Sequence, residues 1–576
     1  MRTAPGWRAA LVALFVAAMP AAPVAAQSGP EAPLVLAPPR PAKPVATGAS
    51  PGELMNRAFV SAQWAMSTAA ATALAKTAAR FAAGDGEMAR TVRARQDMVE
   101  EIAALDRRLA QALGSEAADE RRRVQELRRT IERRKADLTA ADQVIAKRFP
   151  RYAALSKPLP ASIAEVRAAL RPGEVMVTIL TTDDAGYVWV VTPTAARWTR
   201  VAIGREQLEQ MIRKLRGDLG DASPSGSRGA ESAFGEATAS GERGFDRATA
   251  HALHTAYLAP FADLLGHGTT VYFVLSGAWT GLPPSLLVTR PPQGDDADPE
   301  ALRTTSWFVR DHAVAILPSV SSLAMLRRFT PVDRSGAVVP FVGFGAPKLG
   351  EGSGEARGGD VVKLTRGGVT DVAEIRKLAS LPQTEGELRR LAETLRAPAS
   401  SVTVGAAATE ARVRSARLAD VRVLAFATHG LVAGELTGLA EPALVFTPPP
   451  TASDDDDGLL TASEAAGLEL SADWVILSAC NTASGDGRPG AEALSGLARA
   501  FFYAGARSLL VSHWPVDDTA ASRLTTATLS RTSLDRRIGR AEALRRAMLE
   551  LLGDHDHPQM AHPKMWAPFV VVGEGQ

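Results

Sequence analysis

One cysteine, Cys480, stands in a chain of 576 residues, so no disulfide can form within the chain. Charge of one sign is lacking too. The 65 Lys and Arg against 63 Asp and Glu leave a formal net charge of +2, which argues against nucleic acid as a partner. Past the N-terminus no apolar run approaches the roughly 20 residues that cross a bilayer, and no repeat register is long enough for a solenoid. Phosphate-binding loops are missing as well: GFGAPKLG (343–350) departs from both the dinucleotide and the Walker spacing. The run Asp454 to Asp457 lacks the spaced ligands and bidentate glutamate of a calcium loop and reads as solvated.

What is present is 46% hydrophobic residues, enough for two or more cores. Arg2 and Arg8, the apolar run Ala9 to Met19, and the small residues ending at Ala26 form a secretory signal, cleaved after Ala26. Pro20 and Pro23 cut that run well short of an anchor. A periplasmic or secreted protein without stable membrane insertion is therefore expected. Residues 27–52 are an extended Pro/Ala-rich linker.

Residues 53–150 should be helical. Alanine-dense 53–83 suggests two closely packed helices, and 88–149 suggests a helical hairpin, or short coiled coil, broken at Gly114-Ser115. The arginines of ERRRVQELRRTIERRK are interleaved with acids and read as a charge-paired face. Residues 151–245 form a small segment in which 174–203 supplies two or three antiparallel strands, followed by a Gly/Ser-rich loop over 217–244.

Beyond that loop, continuous apolar runs alternate with amphipathic segments: 269–276, 337–345, 401–404, 421–429, 442–447, 473–480 and 508–514, with helices over 384–397 and 492–506. Continuous runs indicate strands buried on both faces, hence an α/β fold with a mostly parallel sheet flanked by helices over 246–576. Two of these runs end on chemistry. VRVLAFATHG carries His429 and Gly430, and DWVILSACNTASGDG carries Cys480, 51 residues after His429 (480 − 429). Strand ends at the carboxyl edge of such a sheet are where ligands bind. A histidine within reach of the thiol would activate it as a nucleophile, with the Gly430 and Cys480 amides facing an oxyanion. Each residue also has a structural reading, as a buried strand-end histidine and a small buried hydrophobe.

These residues resemble the CHAT domain family, a caspase-like, separase-related family often found beside TPR helices. The resemblance rests on ATHG, LSACNT, GAEALSGLARAFFYAGARSLLVSHWPVDD and HPKMWAPFVVVGE, with softer matches in SGAWTGLPPSLL, WFVRDHAVAILPS and LPQTEGELRRLA. The spacing agrees with a histidine about 50 residues before a caspase-type cysteine. The resemblance implies a cysteine endopeptidase with Cys480 as nucleophile, His429 as base and a protein or peptide substrate, and it leaves room for an activating protein. It also implies an acidic residue that selects a basic side chain before the scissile bond. Asp517 is the candidate, with Asp518 or Asp486 as alternatives, although Asp517 equally suits a helix N-cap. The chain departs from the family's common arrangement in leaving room for only one or two TPR-like helices, over 53–83. His513 reads as structural or pocket-lining. His555, His557 and His562, beside Asp554 and Asp556, match the family's C-terminal strand entry, so neither metal nor cofactor is expected. A scaffold without turnover, and a cysteine acyl-transferase or non-peptide hydrolase, are the competing readings.

Overall fold

The computed structural model describes residues 50–81, 98, 105, 118–148, 160–220, 244–328, 338–350, 365–366, 369–370, 372–378, 380–431, 442–453, 456–478, 496–514, 516–535 and 537–576. The signal region, nearly all of the linker, the first arm of the expected hairpin, the Gly/Ser-rich loop from 221 to 243, Cys480 and Asp486 lie outside the described residues.

The strands are β1 (Glu174–Thr181), β2 (Gly186–Val191), β3 (Ala196–Val201), β4 (Thr270–Val274), β5 (Ala313–Ile316), β6 (Val339–Pro347), β7 (Thr365–Arg366), β8 (Val369–Thr370), β9 (Val402–Gly405), β10 (Val421–Ala427), β11 (Gly430–Leu431), β12 (Ala443–Val445), β13 (Leu459–Thr461), β14 (Trp474–Ser478), β15 (Ser508–Ser512) and β16 (Phe569–Gly573). Eleven of them make one sheet in the order β3-β2-β1-β4-β5-β16-β15-β14-β10-β6-β9. The ladders β1–β4–β5 and β15–β14–β10–β6–β9 are parallel. Antiparallel pairing appears at the β1–β2–β3 edge and between β15 and β16. The mostly parallel α/β sheet with flanking helices expected from the sequence is thus the fold.

The segment 174–203 does form three strands, yet it is not a unit beside the sheet. β1 pairs with β4 from Glu174 against Thr270 to Thr178 against Val274, so the sheet simply continues through it. Every residue of β1 is buried, which marks it as an interior strand. Its two hairpin turns share one device: Thr182 and Thr192 each donate a backbone N–H to the carbonyl of Ala185 and Ala195 at 2.8 Å. Their hydroxyls bond the same turns, a local side-chain route that Thr favours in turns.

Residues 51–81 form one helix (Pro51–Phe81), where the sequence suggests two. No Gly or Pro lies between Gly52 and Gly84 to break it. Its Phe59 is buried against Trp189 of β2, with ring centroids 6.0 Å apart. The Ala118–Arg148 helix is the second arm of the expected hairpin.

In β10, Val421, Val423, Leu424, Ala425, Phe426 and Ala427 are all buried. Each of its larger apolar side chains contributes roughly 1.5–3 kcal/mol relative to exposure. Phe426 packs on Phe344 of β6 at 5.9 Å, on Phe446 at 6.3 Å and on Phe501 of the Gly496–Ala504 helix at 5.2 Å. That aromatic cluster holds the strand rigid three residues before His429. No described helix is long and apolar enough to cross a membrane.

Candidate active site

β10 and β14 are adjacent parallel strands, and Ala427 is the register partner of Ser478. His429 stands two residues past Ala427, at the carboxyl edge of the sheet. The half-buried His429 does not continue the main ladder. Its carbonyl accepts the Val445 N–H at 2.9 Å, and the buried Thr428 hydroxyl donates to the Val445 carbonyl. The chain then enters a small antiparallel sheet, β11-β12-β13, in which Gly430 faces Leu444. Because the bond from Val445 to His429 is a ladder bond, alternation puts Gly430 at the next, non-hydrogen-bonded position, with its N–H turned away from β12. The 442–447 run is therefore a strand as expected, but in this small sheet and not in the large one.

The small sheet is anchored from below. Buried Glu410 accepts the N–H groups of Asp457 and Gly458 at 3.0 and 3.2 Å, fixing the start of β13. Thr461 and Glu464 form a capping box that begins the next helix. Burial and the neighbouring Glu464 hold the Glu410 carboxyl well above the usual carboxylate range.

The β6 edge of the site explains GFGAPKLG. Gly345 is the register partner of Ala427, and a Cβ there would lie 2.3 Å from the Ala427 carbonyl oxygen and 2.9 Å from Leu388. Close packing of strand on strand and helix, not phosphate, requires these glycines. The strand then bulges through Ala346, which holds a positive φ of 43°.

On the other side, β15 ends in His513 and Trp514. His513 is buried, with neither ring nitrogen hydrogen-bonded among the described residues. Burial, reinforced by Arg216, pushes its imidazole down to about 3, so the ring is neutral. Arg216 donates to the carbonyls of Gly281 and His513 at 2.6 and 3.4 Å, closing this edge. Asp517 is the N-cap of the Asp518–Leu534 helix and accepts the Ala520 N–H at 3.0 Å. Asp517 and Asp518 are exposed, and partial burial together with Asp517 raises the Asp518 carboxyl. The C-terminal histidines go to separate partners: His557 to Asp554 at 3.0 Å and His562 to the Lys564 N–H at 3.1 Å. Among the described residues no three metal-ligating side chains converge.

One group beside the site escaped the sequence reading. Glu387, on the Pro382–Thr394 helix, is buried and accepts the Ser478 hydroxyl at 3.1 Å and the Thr525 hydroxyl at 3.3 Å. Burial pushes its carboxyl up to about 7, against the lowering effect of those hydroxyls. The signal was available: residues 384, 387, 388, 391 and 392 form the buried stripe of that helix, and an acid lies on it.

Comparison with known proteins follows this geometry. The family model of the CHAT domain matches residues 247–574. Tetratricopeptide repeat protein 28 of Mus musculus is 36% identical over 115 residues, which are 20% of this chain and 4% of that protein. The chain thus spans a small part of that relative's length. Among solved structures, a Saccharomyces cerevisiae separase–securin complex matches at 10% identity and a TM-score of 0.41, over 83% of this chain and 38% of the other. A second structure of that complex matches at 10% identity and a TM-score of 0.40, over 74% and 31%.

Proposed function

Because this chain belongs to the CHAT domain family, we propose that it is a cysteine endopeptidase in which His429 and Cys480 form the catalytic dyad. One observation carries the reading. Ala427 and Ser478 are register partners on adjacent parallel strands, and His429 and Cys480 each follow their partner by two residues in the sequence. Neighbouring strands are about 4.8 Å apart, so equal offsets favour an imidazole and a thiol within reach of each other.

In this reading His429 accepts the Cys480 thiol proton, and the thiolate sulfur attacks the scissile carbonyl carbon. The resulting oxyanion is held by the N–H groups of Gly430 and Cys480, a role that the outward-turned Gly430 amide suits. Collapse breaks the C–N bond, and His429 returns its proton to the leaving amine, giving a thioacyl-enzyme. Water then gives a proton to His429 and its oxygen to the acyl carbon, which releases the acid and regenerates the thiol. Asp517, with Asp518 or Asp486 as alternatives, favours a basic side chain before the bond. Among the described residues, capping by Asp517 uses one carboxylate oxygen, and the other would meet the cation. Residues 1–26 direct export to the periplasm or beyond, and the substrate is a protein or peptide.

The test is covalent labelling of the full chain with an acyloxymethyl ketone on a short peptide ending in Arg. Labelling of Cys480 that His429→Ala abolishes is expected. Equal labelling of both proteins, or none, would favour a scaffold, and labelling only by non-peptide acyl probes would favour an acyl-transferase or a non-peptide hydrolase.

A further inference from the structure

The end of β14 is gripped from the helix layer. Ser478, the last residue of the strand, donates to one oxygen of Glu387, and the Thr525 hydroxyl on the Asp518–Leu534 helix lies 3.3 Å from the other, its one proton divided between that oxygen and the nearer Ala521 carbonyl at 2.9 Å. Glu387 thus joins the strand leading to Cys480 with the helix that Asp517 caps. We propose that Glu387 is a positioning residue for the nucleophile, whose ionisation tightens its hold on Ser478 and so sets the orientation of the chain leading into Cys480. This rests on the dyad reading above.

The physical argument is one of asymmetry. An ionised carboxylate accepts from the Ser478 hydroxyl in a charge-assisted bond, which is shorter and roughly twice as strong as a neutral one. A protonated carboxyl keeps both contacts, donating its O–H to the Thr525 oxygen, but holds Ser478 only by a neutral bond. The surroundings leave little else to control that proton. Arg390, on the same helix, favours the ionised form and itself donates to Ser522 at 2.8 Å. Asp518, on the facing helix, favours the protonated form. β6 and β9, on which the helix packs, carry no titratable residue. The one charged residue of β10, Arg422, pairs with Asp473 at the far end of the strand. With burial dominating, Glu387 changes charge near neutrality, at about 7. A structural acid on a core face would be expected to be dispensable to a glutamine of the same shape. A positioning acid would not.

Cys480 is the one thiol of the chain, so its reactivity can be followed without a substrate. The experiment is the rate of alkylation of the folded full-length protein by iodoacetamide between pH 5 and 9, for wild type, Glu387→Gln, Ser478→Ala and His429→Ala. The wild type should show the thiolate ionisation and a second step near pH 7. Both Glu387→Gln and Ser478→Ala should lose that second step and keep the first, while His429→Ala should move the first up toward the ordinary thiol value of about 8.5. Cleavage of a peptide substrate should fall about ten- to a hundredfold in Glu387→Gln and Ser478→Ala, the scale of an ångström-level misplacement. A Glu387→Gln profile that superimposes on the wild type overturns the proposal and leaves the dyad standing. A Ser478→Ala profile that keeps the step overturns the route through the serine. A wild-type thiol that is inert, or indifferent to His429→Ala, overturns the dyad and with it the proposal.

Discussion

Gly345 lies beside Ala427 so closely that a Cβ on it would come within 2.3 Å of the Ala427 carbonyl oxygen. Two residues before His429, the spacing of β6 against β10 is therefore set by a missing side chain. Gly345→Ala must push the strands apart or drive Leu388 out of its place. Overpacking of this kind costs roughly 1–3 kcal/mol. The expected result is a lowered midpoint of urea unfolding together with reduced peptide cleavage, whereas Gly405→Ala, where a Cβ meets nothing within 4 Å, should lose stability through its positive φ alone and spare cleavage at the strand end.

At the opposite end of the sheet a buried ionic cluster ties the strands together. Glu174, at the start of β1, accepts from Arg327 at 2.6 and 2.9 Å and from the Arg171 N–H at 2.7 Å. Arg327 also lies 3.4 Å from buried Glu574, which pairs with Arg507 at 2.6 Å. Removing one partner strands a buried charge. Arg327→Met should cost about 3–5 kcal/mol, and adding Glu174→Gln should recover part of that loss, a coupling readable by a double-mutant cycle in denaturant.

Glu387 should also be visible in stability against pH. Its carboxyl is raised from 4.5 to about 7 in the folded chain, so between those values the folded state holds a proton that the unfolded state has lost. The stabilisation is fully present below 4.5 and is lost as the pH rises through about 7. The gap corresponds to on the order of 3 kcal/mol. Stability of the wild type relative to Glu387→Gln should therefore fall from pH 4.5 to pH 8, as measured by denaturant unfolding. A difference that stays flat over that range would remove the titrating group from the core.

The sequence made the central strands β4, β10, β14 and β15 legible because they are buried on both faces and lie within continuous apolar runs, while β6 and the half-buried edge strand β9 overlap such runs and extend past them. The same texture misassigned β12, since ALV is as apolar in the small sheet as in the large one, and only the turn after His429 separates them. β5, four residues long and preceded by the 3-10 turn Phe308–Arg310, gave too short a signal. β11 and β13 are shorter still. β1 was readable as a strand, but its membership of the large sheet depends on pairing with β4, nearly a hundred residues away. At the site, His429 and Gly430 were legible from their position at a strand end. Glu387 showed only as an acid on the apolar stripe of its helix, and its role stayed hidden because its partners come from β14 and from a helix more than a hundred residues further on.

The central claim is a cysteine peptidase built on His429 and Cys480, and cleavage of a proteome-derived peptide library, with cut sites read by mass spectrometry, tests it most directly. The protein should cut, with Arg or Lys enriched before the bond, and both Cys480→Ala and His429→Ala should abolish the cuts. Cuts that persist in either variant, or a complete absence of cuts by the wild type, would contradict it.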